Sequence, residues 1–195
     1  MQFRTGGDEL GTQRVRSPLG LLPQAADELD NSLPAWSSEV AIEVACLNID
    51  AASFVQLEST GEPVAAQVSA IVARAGKMHN PVTGSGGMLL GKVAAVGPDY
   101  RGPLVGCAPG TRVATLVSLT LTPLRLERIR AVRAHAHQVE VDALAFLPSS
   151  APVAVLPDDL PDELTLAVLD VAGAPALVDR LLAEQPDIGA LAFIG

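Results

Sequence analysis

Two carboxylates sit where the surrounding sequence is otherwise apolar. Asp50 closes the run Cys46-Leu47-Asn48-Ile49, and Asp170 follows Leu164–Leu169. A carboxylate is seldom buried unless it is paired or put to use, so each is a candidate to face a substrate. Taken alone, each is still more often a helix cap or a surface group. The three histidines, His79, His135 and His137, have no cysteine or carboxylate spaced to converge on a metal ion with them. His135 and His137 are two residues apart and would share one face of a strand as an exposed pair. Gly86-Gly87-Met88-Leu89-Leu90-Gly91-Lys92 has the glycines and lysine of a phosphate-cradling loop. Val93, however, stands where a metal-binding Ser or Thr is required, and the turn leads into an apolar, β-like stretch rather than a helix.

The elements that must carry these residues are read from periodicity. Residues 1–36 hold Gly, Pro and Asn between short apolar pieces, which predicts an irregular arm with one short strand. Val40, Ile42, Val44 and Cys46 alternate with Ala41, Glu43 and Ala45, the pattern of a half-buried strand. Met88–Val96 and Arg112–Val117 are strand-like runs between Gly- and Pro-containing turns, and Arg125–Val141 holds further short β candidates, a spacing that suggests a barrel. Helical signals come late. Asp158 and Asp159 precede Pro161, and Leu164, Ala167, Val168 and Val171 then recur at helical spacing up to Gly173. Pro175 opens a second helix with Leu177, Val178, Leu181 and Leu182 on one side, stopped near Pro186. The continuous apolar run Ala190–Gly195 reads as a buried parallel strand.

Composition excludes several classes. The 195 residues are 49% hydrophobic and 18% charged, which suits a globular chain. A net charge of -9 with no basic stripe gives no footprint for nucleic acid or an anionic membrane. The apolar stretches fall well short of the ~20 residues that span a bilayer, and the N-terminus lacks the apolar core of a secretory signal, so a cytoplasmic location is expected. Cys46 and Cys107 cannot build a disulfide framework or a four-cysteine zinc site.

In this order the segments resemble the catalytic domain of the medium-chain dehydrogenases, a GroES-like barrel preceding a Rossmann domain. Asn48-Ile49-Asp50 resembles the loop after that family's second strand. His79-Asn80-Pro81-Val82-Thr83-Gly84-Ser85-Gly86-Gly87, with Gly91-Lys92-Val93-Ala94-Ala95-Val96-Gly97, resembles its Pro-x-x-Gly-His-Glu…Gly-x-Val…Val-Gly segment, and Pro109-Gly110-Thr111-Arg112-Val113 its Gly-Asp-Arg-Val turn. Leu156–Leu160 and the two helices resemble the bridge into the cofactor domain, and Ala190–Gly195 its first strand. Ser85 and Gly86 stand where zinc-dependent members carry His and Glu, so the resemblance is to zinc-free members. Gly11–Val15, Leu22-Pro23-Gln24, Asn80–Leu89 and Asp170–Ala176 are similar to an amine-oxidising branch acting on a small diamino acid.

The resemblance implies an α+β, mainly β fold: an arm at 1–36, a GroES-like catalytic domain at 37–156, and the start of a Rossmann domain at 157–195, cut off at its first strand. It implies NAD or NADP as hydride acceptor, no zinc, and a diamino acid substrate whose amine-bearing carbon is oxidised. Asp50, Asp170 and Ser85 become candidate catalytic groups, with the two carboxylates serving as a base and as ammonium partners. Arg14, Asn48 and Asn80 become candidate substrate-binding groups, Arg14 because a guanidinium fork matches a carboxylate. A dinucleotide site needs Gly-x-Gly-x-x-Gly after its first strand, and Gly195 is at most the first of those glycines. The chain alone is therefore expected to be inactive, and a homodimer is expected once the cofactor domain is complete. A non-catalytic GroES-like binding module and a zinc-free quinone or enoyl reductase fragment stay open as alternatives.

Overall fold

The computed structural model describes residues 1–116, 118–171, 173–185 and 189–190. From 191 onward the expected strand, with Gly195, lies outside the described residues. Four short strands come first: β1 (Phe3–Arg4), β2 (Val15–Ser17), β3 (Glu28–Leu29) and β4 (Ala35–Trp36). There follow β5 (Glu39–Asn48), the helices α1 (Ala51–Ser59) and α2 (Val64–Ala75), and the strands β6 (Met88–Val96), β7 (Arg112–Thr115), β8 (Leu124–Arg133), β9 (Gln138–Pro148) and β10 (Val153–Val155). Two helices, α3 (Asp162–Val171) and α4 (Gly173–Glu184), come last, where the sequence predicts them.

The fold is a mixture of helix and sheet dominated by one antiparallel sheet in the order β10-β7-β6-β5-β9-β8. Its middle is β5, paired with β6 on one edge and β9 on the other. Because neighbours flank it and both faces are covered, β5 is more deeply buried than the half-buried strand its alternation suggests; Glu43 is its one exposed residue. The alternation also breaks. A bulge between Val44 and Cys46 interrupts the register toward both neighbours. An extra residue in a strand moves every later side chain to the opposite face. Val40, Ile42 and Val44 therefore share the main core with Leu47 and Ile49, whereas Cys46, expected beside them, joins a second cluster with Met88, Leu90, Ala114, Leu156 and Leu166.

The segment between β5 and β6 corrects the expectation that helices begin only near Asp162. α2 buries Val68, Ile71, Val72 and Ala75, spaced for one helical face. Its β-branched residues cost at most ~0.7 kcal/mol each in helix propensity, whereas burying such a side chain contributes about 1.5–3 kcal/mol, so packing decides the local structure. Gly76 ends the helix at φ +67, and a Cβ there would lie 1.9 Å from the Leu29 carbonyl oxygen. The phosphate-loop-like run is also resolved: Met88 to Lys92 lie in β6, with Lys92 opposite Glu43.

β8 and β9 form one long hairpin rather than several short strands. His135 and His137 are not paired on a strand face; both lie in the connection, His135 exposed and the His137 ring 5.0 Å from that of Phe54. The arm is likewise more ordered than composition suggests. β1 pairs with β4 in parallel, and β2 with β3 antiparallel. Such pairings join residues far apart in sequence, which local periodicity cannot register.

Candidate active site

The chain turns from β5 into α1 at Asp50, which caps the helix. The Ser53 backbone N–H donates to Asp50 Oδ1 at 2.9 Å, satisfying one of the free amides of the first turn. The other oxygen, Oδ2, is buried and has no hydrogen-bond partner among the described residues. A desolvated, unpartnered carboxylate oxygen is energetically costly unless a cation or a proton arrives to meet it.

The loop before β6 brings a hydroxyl to the same place. Asn80 shapes this loop: its Oδ1 accepts from the backbone N–H groups of Val82 at 2.8 Å and Thr83 at 3.3 Å. The Asn80 backbone N–H donates to the Ser85 carbonyl at 2.8 Å, and the Gly84 backbone N–H to the Asn80 backbone carbonyl at 2.8 Å. Gly87 then passes so close to β5 that a Cβ would lie 1.9 Å from the Asn48 carbonyl oxygen, and its φ is +91. Leu119 donates its amide to the Gly87 carbonyl at 2.8 Å, which sets the Ser118 turn against the loop.

Asp50 and Ser85 thus meet across a cleft of about 340 Å³. Ser118 adds a second hydroxyl, Gly87 supplies backbone, and Met88, Leu116 and Leu169 of α3 form apolar walls. A carboxylate and hydroxyls between apolar walls can hold a cationic group by charge-assisted hydrogen bonds and accept a proton from it. Ser118 and the apolar wall residues carry no sequence signal of a site; Ser118 reads only as a turn cap, the role in which its Oγ accepts from the Thr120 amide at 3.2 Å.

Arg14, Asn80 and Asn48 are not among the described residues that line this cleft. Arg14, expected at a substrate carboxylate, is committed internally. Its Nε and Nη2 meet the two Glu39 carboxylate oxygens at 2.9 and 2.6 Å, and its Nη1 donates to the Asp30 and Ser32 carbonyls, both at 2.9 Å. The guanidinium lies 4.2 Å from the Phe146 ring centroid, and the side chain is 1% exposed, which leaves it no contact with a ligand. Asn80 is fully buried, and its amide nitrogen donates to the Ser53 carbonyl at 3.3 Å and to Gln56 Oε1 at 2.9 Å, so it too is spent inside the protein rather than on a substrate. Asn48 is buried, with its Oδ1 accepting from Gln138 Nε2 at 3.3 Å. Asp170 lies on α3, next to the cleft-lining Leu169, with its side chain outside the described part of the helix.

Two further titratable groups are set apart by burial. Lys77 is fully buried and donates from Nζ to the Pro23 carbonyl at 3.0 Å. Burial pulls its pKa down to about 8 against the opposing pull of Asp27. His79 has a buried Nδ1 with no hydrogen-bond partner among the described residues, and its pKa is lowered by burial and then by Lys77. Burial pushes the Cys46 thiol up to about 12, which keeps it protonated and unreactive at neutral pH. Among the described residues no group of three or more His, Cys, Asp or Glu side chains gathers to hold a metal ion, and no helix is long and apolar enough to cross a membrane.

Residues 13–157 match the model of the L-erythro-3,5-diaminohexanoate dehydrogenase N-terminal domain family. The L-erythro-3,5-diaminohexanoate dehydrogenase of Fusobacterium nucleatum subsp. nucleatum is 46% identical over 193 residues, covering 97% of this chain and 56% of its own length. That of Acetoanaerobium sticklandii is 43% identical over 180 residues, covering 90% of this chain and 52% of its own. The chain therefore spans about half the length of the curated relatives it matches.

Proposed function

The chain belongs to the L-erythro-3,5-diaminohexanoate dehydrogenase N-terminal domain family, and from that premise we propose that it is the substrate-side part of an NAD(P)-dependent amine dehydrogenase acting on L-erythro-3,5-diaminohexanoate. In this reading the amine-bearing carbon loses a hydride, its C–N bond becomes C=N, and water converts the imine to 5-amino-3-oxohexanoate and ammonia, a step of lysine fermentation. The nicotinamide, when bound, supplies the hydride acceptor. No Gly-x-Gly-x-x-Gly turn occurs in these 195 residues, so none of them is assigned a contact with it.

Asp50 carries the reading. Its Oδ2 is buried without a partner at a cleft shared with Ser85, which suits it to pair with the reacting ammonium and take its proton. Ser85 is read as the hydroxyl that orients the nitrogen, and Asp170, one residue beyond Leu169, as the anion for the second ammonium. The finer architecture we propose is a GroES-like barrel closed by the six-stranded sheet and a Rossmann domain beginning at the two last helices, in a cytoplasmic enzyme. The family match favours this over a non-catalytic module or a quinone or enoyl reductase.

The test is Asp50→Asn, which keeps the cap oxygen and removes the charge. Affinity for L-erythro-3,5-diaminohexanoate, measured by titration calorimetry, should fall more than about tenfold, or ~1.4 kcal/mol. Undiminished binding would remove Asp50 from the site.

A further inference from the structure

We propose that Asn80 is a positioning residue for this site: it couples the loop that carries Ser85 to the helix that Asp50 caps, and so fixes the separation of hydroxyl and carboxylate across the cleft. The inference rests on the functional reading above. Its basis is the way the Asn80 side chain is divided. One half, Oδ1, folds the loop by accepting from the Val82 and Thr83 amides. The other half, Nδ2, fastens that loop to α1 through the Ser53 carbonyl and Gln56 Oε1.

Ser53 is the junction. Its amide is held by Asp50 Oδ1, its carbonyl by Asn80, and its hydroxyl is hydrogen-bonded to that of Thr83 in the same loop. The Thr83 hydroxyl in turn accepts from the Ser85 amide at 3.4 Å. A continuous set of hydrogen bonds therefore runs from Asp50 through the first turn of α1 to Ser85, with both ends on the cleft. Asn80 is fully buried, so it acts through these bonds and not by touching a ligand.

Removing Asn80 outright risks the loop itself, so the test is made mainly at its half-buried partner. Gln56→Ala removes the acceptor of the 2.9 Å bond, whereas Gln56→Glu retains it. Each variant, and Asn80→Ala, is prepared with and without Ser85→Ala, and affinity for L-erythro-3,5-diaminohexanoate is measured by calorimetry alongside the melting temperature. Gln56→Ala should weaken binding by about fivefold, the effect of one lost hydrogen bond. Gln56→Glu should bind as the unaltered chain does. In the Ser85→Ala background Gln56→Ala should cause no further loss, because a residue acting through Ser85 is not additive with its removal. Equal losses with and without Ser85, or equal behaviour of Gln56→Ala and Gln56→Glu, would overturn the proposal. If the unaltered chain does not bind the diamino acid, the functional reading fails by itself. The coupling is then judged from hydrogen exchange of the Val82 and Gly84 amides, both bonded to Asn80, which Gln56→Ala should accelerate and Gln56→Glu should not; unchanged exchange would overturn it.

Discussion

At the scale of single residues, Asp50 and Ser85 were legible as candidates because each sits in a segment resembling a known site, and the fold brings them to one cleft. Arg14 is committed inside the protein for a reason that its neighbours in sequence do not show. Its partner Glu39 lies in another element, and nothing in the local sequence tells an arginine that will be buried against a carboxylate from one that will meet solvent or a ligand. Lys77 carries no local signal of its burial for the same reason, since its acceptors come from the arm. It carries a pH signature. Its pKa is lowered from 10.5 to about 8 by burial, so between those values the unfolded chain holds a proton that the folded chain has released. Through Lys77, stability should accordingly rise as pH increases from about 8 toward 9; above 9 the Cys46 thiol, held up to about 12 by burial, pulls the other way. Urea unfolding from about pH 8 to 9 should show the rise, and Lys77→Met should abolish it; a slope unaffected by the substitution would assign it to other groups.

At the scale of elements, α3 and α4 were readable from caps, prolines and spacing. α2 carries an equally regular stripe, Val68, Ile71, Val72 and Ala75, yet went unread between two strand-like regions. The β5 bulge is invisible in sequence because the residues around it, Val44, Ala45 and Cys46, are all apolar and fit either face. The glycines of the Ser85 loop show how geometry ranks positions that look alike. Gly84 and Gly87 both have positive φ, but a Cβ at Gly84 meets nothing within 4 Å, whereas one at Gly87 would strike the Asn48 carbonyl. Gly84→Ala should cost only about 1 kcal/mol, the ordinary penalty of a left-handed residue, and Gly87→Ala at least about 3 kcal/mol with loss of the cleft. Thermal unfolding of the two variants decides this, and equal melting temperatures would contradict it.

At the scale of the whole molecule, the arm at 1–36 is joined to the sheet by more than its chain connection. Arg14 neutralises Glu39 at the start of β5, and the Pro23 carbonyl receives Lys77. Residues 37–195 alone would lose the bonds that Gln13, Arg14 and the Trp36 amide make to Glu39 and the bond from Lys77 to Pro23, and a hydrogen bond to a charged group contributes about 1.5–3 kcal/mol. That truncated chain should therefore unfold at a markedly lower urea concentration than the 195-residue chain; coincident midpoints would make the arm dispensable. Asp50 holds a comparable double position, one oxygen capping α1 and the other buried with no hydrogen-bond partner among the described residues, in a residue that lines the cleft. Across an evolving lineage those two demands come apart. Asn, Ser and Thr all cap helices well, so the fold alone would tolerate any of them at position 50, and only the proposed pairing with an ammonium calls for an acid. A relative that keeps the helix but carries Asn, Ser or Thr there would be expected to have given up catalysis while preserving its architecture, which makes this one position a marker for sorting active from retired members.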